Sequence, residues 1–283
     1  MHLESSISLT RYFRYSFCRV ADDLIDNAAS VPEARTWIDQ LSAFLDIAYG
    51  FTETIKHPSV DQFVIETFPA QVQSALQLLP TSYLSSAPLY SLLKGFETDL
   101  EFSSQFSRHP IRTQADLETY AARVAGTVAE LCLELVYHHV RTSASASGRK
   151  SLAADGGRMG IALQYVNIAR DIVVDARIGR VYLPTSWLRE NQLSPEDVLE
   201  NPGGAKLDKI RSQLLDEAMS IYNETRGAIE ELPSEARGPM RVAVESYMEI
   251  GRVLTEKNYR IKAGRATVPK MRRLRVAWHS LKK

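Results

Sequence analysis

Apolar residues recur at steps of three and four along nearly all of this 283-residue chain. That spacing places them on one face of an α-helix, whereas the alternation typical of β-strands is hard to find. The longest such segments are 63–80, 116–140, 157–176 and 206–232. Short stretches rich in Pro, Gly and Ser separate the helical segments, the last of them at 232–239, and none is long enough to be a domain linker. We therefore predict one all-α domain over residues 1–283, a bundle of about eight to ten helices.

Charge is distributed unevenly along the chain. Thirty-four basic and thirty-four acidic residues cancel overall, but residues 257–283 hold ten bases and no acid. Leu274, Trp278 and Leu281 lie at helical spacing among these bases, which is typical of an interfacial helix on an anionic membrane. A packed terminal helix fits the pattern equally well. No aromatic-rich binding motif accompanies the bases, so we expect no nucleic-acid partner.

The two cysteines and the hydropathy bear on where in the cell the protein is located. Cys18 and Cys132 each lie in an apolar helical pattern, as expected of reduced core thiols. No apolar run reaches the ~18 residues that a membrane-spanning helix needs, and no cleavable signal precedes the first motif. We expect a cytoplasmic protein, held peripherally on an internal membrane if the basic tail binds lipid.

An acidic stripe marks the segment "NIARDIVVDA" (167–176). On a helix, Asn167, Asp171 and Asp175 lie one turn apart on the same face. The two carboxylates repel each other, so the spacing gives no intrinsic helical benefit and indicates a cationic ligand. Oxygen-only ligands suit a hard cation such as Mg²⁺, with Mn²⁺ as an alternative.

A second acidic helix lies near the start of the chain, in "YSFCRVADDLIDNAA" (15–29). Asp22 and Asp26 are four apart and share a face with Arg19, and Asp23 is expected to point elsewhere. Apolar neighbours suggest a mostly buried helix, in which carboxylates need a partner or a metal. A solvated acidic face is the alternative.

Together the two acidic helices predict a diphosphate site. Facing each other across a cavity, they would hold Mg²⁺ ions that bind a diphosphate. Four arginines are available for its oxygens: Arg19, Arg170, Arg177 and Arg180.

Several segments resemble one family, the head-to-head isoprenoid synthases that comprise squalene and phytoene synthases. "CRVADDLID" (18–26) is similar to its first motif and "KGFETDLEF" (94–102) to an intervening segment. "YAARVAGTVAELC" (120–132) resembles its tyrosine-containing helix, and "MGIALQYVNIARDIVVDARIGRVYLP" (159–184) its second motif. The tail 257–278 is most like that of fungal members, which are usually fused to a lycopene cyclase. The resemblance implies the isoprenoid synthase fold, with helices around a central cavity.

The resemblance also implies roles for individual residues. Metal ligands would be Asp22 and Asp26 of the first motif and Asn167, Asp171 and Asp175 of the second, and the four aspartates would also be the catalytic residues. Contacts to the substrate diphosphate would come from Tyr15, Arg19, Gln164, Arg170, Tyr247 and Arg265. Taken alone, Tyr15 and Gln164 could be ordinary helix residues and Tyr247 a packing residue.

The activity implied is Mg²⁺-dependent condensation of two geranylgeranyl diphosphates to phytoene, through a cyclopropyl diphosphate. No NADPH is expected, because only the squalene branch reduces its intermediate. The small-residue run 124–128 would leave room for a prenyl chain or allow close helix packing. A squalene- or dehydrosqualene-type synthase is the alternative, and the residues do not indicate which prenyl chain length is used.

The start of the chain departs from the family pattern. Only 21 residues precede Asp22, and they match the family's first helix poorly. The expectation is a chain that lacks this helix, which leaves a non-catalytic scaffold relative as a further alternative.

Overall fold

The computed structural model describes residues 17–51, 59–102, 108–140, 145–256 and 267–282. Within these ranges the regular elements are helical and no β-strand occurs, which confirms the all-α prediction. The helices fall into two compact units, Met1–Leu100 and Glu101–Lys283, which are described in turn. The single-domain organisation stays a prediction.

The described part of the first unit contains five helices. They are α1 Phe17–Asp26, α2 Val31–Ala48, α3 Val60–Thr67, α4 Ala70–Gln77 and α5 Ser86–Asp99. Ser30 caps α2 by accepting a hydrogen bond from the Glu33 backbone N–H (3.3 Å). The ring of Phe44 on α2 stacks against Phe17 of α1, with centroids 6.2 Å apart, and both residues are buried. This packing fixes the apolar face of α1 and directs its polar face outward.

The remaining helices form the second unit. They are α6 Gln114–Ala121, a π-helical turn Ala122–Gly126, α7 Thr127–His139, α8 Ala146–Arg177, α9 Thr185–Glu190, α10 Pro195–Glu200, α11 Ala205–Thr225, a 3₁₀ turn Arg226–Glu231, α12 Ser234–Leu254 and α13 Lys270–Lys282. The 32-residue α8 is the central element, because α7, α11, α12 and the π-helical turn all pack against it. Its buried residues contribute much of the unit's apolar core.

Glycines allow the π-helical turn to approach α8 closely. A Cβ atom on Gly160 would lie 2.6 Å from the carbonyl oxygen of Ala125 and 2.8 Å from the Cα atom of Gly126. A Cβ atom on Gly126 would in turn lie 3.1 Å from the carbonyl oxygen of Gly157. At this crossing the small residues serve close helix packing rather than leaving room for a ligand.

The C-terminus of α8 is set by Gly179. Its φ of +76° is a left-handed conformation that glycine adopts readily and that commonly ends a helix. The backbone N–H of Arg180 then donates to the carbonyl oxygen of Asp175 (2.9 Å). Residues 180–183 therefore return beside the end of α8, next to the acidic stripe.

No helix in the described ranges is both long and apolar enough to cross a membrane.

Candidate active site

Five of the predicted site residues form one hydrogen-bonded network in the second unit. Gln164, Asn167, Arg170 and Asp171 lie on α8, and Tyr247 reaches them from α12. Tyr247 Oη donates to Asn167 Oδ1 (3.1 Å), and Asn167 Nδ2 donates to Gln164 Oε1 (3.4 Å). Tyr247 also packs against the apolar core of the unit, so the site roles of Gln164 and Tyr247 stay predictions. We call this group the Asn167 network.

Arg170 supplies the positive charge of the Asn167 network. Its Nε and Nη2 donate to the two carboxylate oxygens of Asp171, at 2.9 and 2.5 Å, and Nη2 also donates to Asn167 Oδ1. The guanidinium carbon lies 5.9 Å from the centroid of the Tyr247 ring, within reach of a cation–π contact. Arg170 is only 9% exposed, so these contacts form in a largely dry environment.

The electrostatics of Arg170 reflect this pairing. Burial alone would lower the pKa of Arg170, but the hydrogen bond and negative charge of Asp171 raise it above its ordinary value. Arg170 is therefore a fixed cation within the acidic stripe. Part of the positive charge that the repelling carboxylates of the stripe require is therefore supplied by the chain itself, through Arg170.

Asp175 lies one turn beyond Asp171 and faces a small pocket. The pocket holds about 190 Å³ of empty space, some of it open to solvent. It is lined by Ile168, Ile172, Asp175, Arg180, Val181, Tyr182, Leu183 and Val198. Its wall is thus mostly apolar, with one carboxylate and one guanidinium.

Tyr182 is a pocket residue that the sequence reasoning did not single out. Its ring stacks on Tyr120, with centroids 5.1 Å apart, and meets the edge of Phe102 at 5.0 Å. Arg180 Nη1 donates to Tyr182 Oη (3.3 Å). The available signal was the Gly-Arg-x-Tyr-Leu-Pro ending of the long motif.

The first acidic cluster lies on α1 in the other unit. Arg19 contacts Asp22 Oδ2 (3.2 Å) and Asp23 Oδ1 (2.6 Å), so the expectation that Asp23 points away from Arg19 is wrong. Asp22 is partly exposed and Asp26, the last residue of α1, is exposed. Only four of the 10 residues of α1 are buried, and all four are apolar, which corrects the prediction of a mostly buried helix.

Three other residues are predicted to bind diphosphate. Tyr15 and Arg265 lie outside the described residues. Arg177 is exposed near the end of α8. Among the residues described, no group of three or more His, Cys, Asp and Glu side chains is placed to hold a metal ion together. Metal binding and the facing of the two acidic helices stay predictions.

Comparison with known proteins identifies the family. Residues 12–272 match the family model for squalene/phytoene synthase. The chain is 53% identical over 269 residues to a bifunctional lycopene cyclase/phytoene synthase of Gibberella fujikuroi, covering 95% of this chain and 46% of that protein. A protein of the same description from Leptosphaeria maculans is 54% identical, over 94% of this chain and 45% of that one. The chain thus spans slightly less than half the length of these relatives.

Solved structures support the fold. A dehydrosqualene synthase in complex with ligand aligns with a TM-score of 0.62 and 19% identity, covering 94% of this chain and 90% of that one. A squalene synthase from Alicyclobacillus acidocaldarius aligns at 0.61 with 20% identity, over 84% and 77% of the two chains. The isoprenoid synthase fold is confirmed, and the chain belongs to the squalene/phytoene synthase family.

Proposed function

We propose that this chain condenses two geranylgeranyl diphosphates head to head, through a cyclopropyl diphosphate, to phytoene. The observation that carries the proposal is the Asn167 network, an oxygen-rich helix face with a buried guanidinium in the middle. The network lies in a chain that is about half identical in sequence to proteins named bifunctional lycopene cyclase/phytoene synthase. The proposal concerns this chain alone, because its relatives are about twice as long.

Divalent metal fits the donors that α8 offers. Asn167, Asp171 and Asp175 present only oxygen, the donor that Mg²⁺ and Mn²⁺ prefer, and two of them already hold the cationic group of Arg170. We propose that these three residues, with Asp22 and Asp26 of α1, are the metal ligands. When bound, the metal would neutralise charge on the departing diphosphate.

The side chains around the ligands suit the rest of the reaction. The guanidinium groups of Arg170 and Arg180 can bind the diphosphate oxygens as their charge develops. Departure of diphosphate leaves an allylic cation, which water would quench. The apolar wall formed by Ile168 and Ile172, with the ring of Tyr182, would exclude water and stabilise positive charge without offering a strong nucleophile.

Product analysis tests the proposal. Purified chain is incubated with geranylgeranyl diphosphate and Mg²⁺, with and without NADPH, and the hydrocarbons are identified. The proposal predicts phytoene at equal yield in both reactions. A product that is reduced only when NADPH is present would favour the squalene-type alternative, and no hydrocarbon at all would favour the scaffold alternative.

We also propose that α13 binds an anionic membrane surface. Met271, Leu274, Trp278 and Leu281 follow one face of the helix, and each is at least 59% exposed. Exposed bases flank them, namely Lys270, Arg273, Arg275 and Lys282. The opposite side packs on α12, where Arg241 Nη1 donates to the carbonyl oxygen of Ser280 (2.9 Å). An apolar stripe bordered by bases matches lipid with acidic headgroups.

Vesicle flotation tests the membrane proposal. The chain should float with phosphatidylcholine vesicles that contain phosphatidylserine and much less with phosphatidylcholine alone. The double variant Leu274→Ser/Trp278→Ser should lose flotation, whereas Ile65→Ser, at an equally exposed isoleucine of α3, should not. Self-association that the double variant abolishes, without any flotation of the wild type, would show that a second copy covers the stripe and would overturn the proposal.

A lycopene cyclase is the protein partner we propose, since the relatives are named as proteins that combine both activities. Co-purification of this chain with a cyclase from the same cells would support it. Recovery of each without the other would contradict it.

A further inference from the structure

The amide oxygen of Asn167 has no free lone pair for a metal ion. It accepts one hydrogen bond from Arg170 Nη2 and another from Tyr247 Oη at 3.1 Å. A carbonyl oxygen has two lone pairs, so both are engaged. The orientation of the amide is fixed independently, because Nδ2 donates to Gln164 Oε1 at 3.4 Å.

Asp171 is held by the same guanidinium. Arg170 donates to both of its carboxylate oxygens, at 2.9 and 2.5 Å. One cation therefore contacts two of the three residues that we assign as metal ligands on α8. Its side chain is buried, so water screens the pairing only weakly.

We propose that Arg170 occupies the place of a divalent cation on α8, and that diphosphate binding releases it. This inference rests on the proposed function, which makes Asn167 and Asp171 metal ligands. A diphosphate offers several oxyanions to the two-pronged guanidinium and so competes with Asp171 for it. Once Arg170 turns to the diphosphate, one lone pair of Asn167 becomes available and Asp171 loses its contact with this guanidinium.

The binding of metal and the binding of diphosphate should therefore be positively coupled. Metal alone must displace Arg170, whereas metal with diphosphate meets residues from which Arg170 has already moved away. By linkage, each ligand raises the affinity for the other by the same factor. Arg170 is then a positioning residue for metal as well as a contact for substrate.

Equilibrium dialysis with Mn²⁺ tests the coupling. Bound metal is measured at matched free Mn²⁺ concentrations, with and without inorganic pyrophosphate. Metal that the Asp171→Asn variant fails to bind is assigned to α8. In the wild type we expect pyrophosphate to tighten this binding by at least about fivefold, within the range usual for coupled sites.

Two variants separate the proposal from a purely structural role. Arg170→Gln should bind Mn²⁺ more tightly than the wild type without pyrophosphate, and should lose most of the gain that pyrophosphate produces. Tyr247→Phe frees one lone pair of Asn167 but keeps Arg170, so it should tighten Mn²⁺ binding and retain the gain. The matched control is Arg158→Gln, which removes an exposed arginine of α8 that pairs with Glu224.

Several results would overturn the proposal. One is an Arg170→Gln variant that binds Mn²⁺ no more tightly than the wild type, and another is a variant that keeps the full gain from pyrophosphate. If Arg170→Gln does not fold, the Tyr247→Phe variant provides the test. An Mn²⁺ affinity of that variant equal to the wild-type value would then overturn the proposal. No prenyl substrate enters these measurements. A wild type that makes phytoene but lacks the coupling refutes only this inference, and one with the coupling but no phytoene refutes only the proposed function.

Discussion

Asp171 lies beside a buried guanidinium as well as among the proposed metal ligands. The side chains of Arg170 and Asp171 are 10% and 15% exposed, and they form a two-pronged ion pair. Removing one partner of such a pair leaves the other charge buried without compensation. The role of Asp171 in catalysis can therefore be tested only with variants whose effect on folding is known.

We expect Asp171→Ala to lower the free energy of unfolding by about 3 kcal/mol, as is typical when a buried ion pair loses one member. Asp171→Asn should cost less, because its amide oxygen still accepts a hydrogen bond from Arg170. Urea denaturation measures both. Glu224→Ala, which breaks an exposed pair with Arg158, should change little. An Asp171→Ala variant as stable as the wild type would show that the ion pair is not held in the folded protein.

Close contact between backbones determines how α8 meets the π-helical turn. The positions of Gly160 and Gly126 leave no space for a side chain between the two elements. A side chain at either position would displace α8, which carries the Asn167 network. The two glycines therefore help to fix the geometry of the site.

Gly160→Ala should destabilise the protein by about 2 kcal/mol, since the added Cβ atom forces the two helices apart. Gly227→Ala is the matched control, because no atom lies within 4 Å of a Cβ placed there. Thermal unfolding of both variants checks the expectation. Equal melting temperatures would contradict the close crossing.

A charged network ties α13 to α12. Glu249 is buried and accepts hydrogen bonds from Arg252 Nη1 (3.0 Å) and from Arg272 of α13. Arg272 also pairs with Glu256. Burial alone would raise the pKa of Glu249, but the two arginines hold it below its ordinary value of 4.5.

Acid should weaken this network. Because the folded pKa of Glu249 is depressed, its contribution to stability is present above about pH 4.5 and is lost as the pH falls through the folded pKa. Melting temperature should therefore fall between about pH 5 and pH 3, and less steeply in Glu249→Gln. Asp216→Asn, at an exposed acid of α11, serves as the control. If the melting temperature of Glu249→Gln falls with pH as steeply as that of the wild type, Glu249 is not the group responsible for the loss of stability in acid.

Helical periodicity predicts the elements better than their boundaries. Segment 63–80 reads as one apolar helical pattern, yet α3 ends at Thr67 and α4 begins at Ala70, because Pro69 cannot donate the hydrogen bond that a continuous helix needs. The predicted break 232–239 ends earlier, since α12 begins at Ser234 and accommodates Pro239. The π-helical turn within 116–140 leaves no mark on a three-to-four-residue pattern.

The site was predictable in part for a related reason. Spacing on a single helix places Asn167 and Asp171 on one face, and the network contains both, whereas Gln164 was indicated by the sequence resemblance. Tyr247 is 80 residues further along the chain, and the sequence resemblance, not its spacing, pointed to it. That Arg170 turns toward Asp171 and Asn167 depends on tertiary burial, which no local pattern encodes.

Taken as a whole, the described chain combines an acidic helix in each of its two units with an amphipathic basic helix at Lys270–Lys282. The family assignment extends over nearly all of the chain, from residue 12 to residue 272. An enzyme with lipid substrates and a lipid product would use all three features. We propose that the acidic face of α8 promotes departure of diphosphate.

Pyrophosphate release from geranylgeranyl diphosphate, measured at saturating Mg²⁺, tests that claim most directly. The comparison is wild type, Asp171→Asn and Arg158→Gln, each shown by circular dichroism to be folded. We predict that Asp171→Asn is slower by at least about a hundredfold, as when a group that stabilises transition-state charge is removed. Arg158→Gln should stay within about twofold of the wild type, because an exposed ion pair contributes little. Release by Asp171→Asn at the wild-type rate would contradict the account.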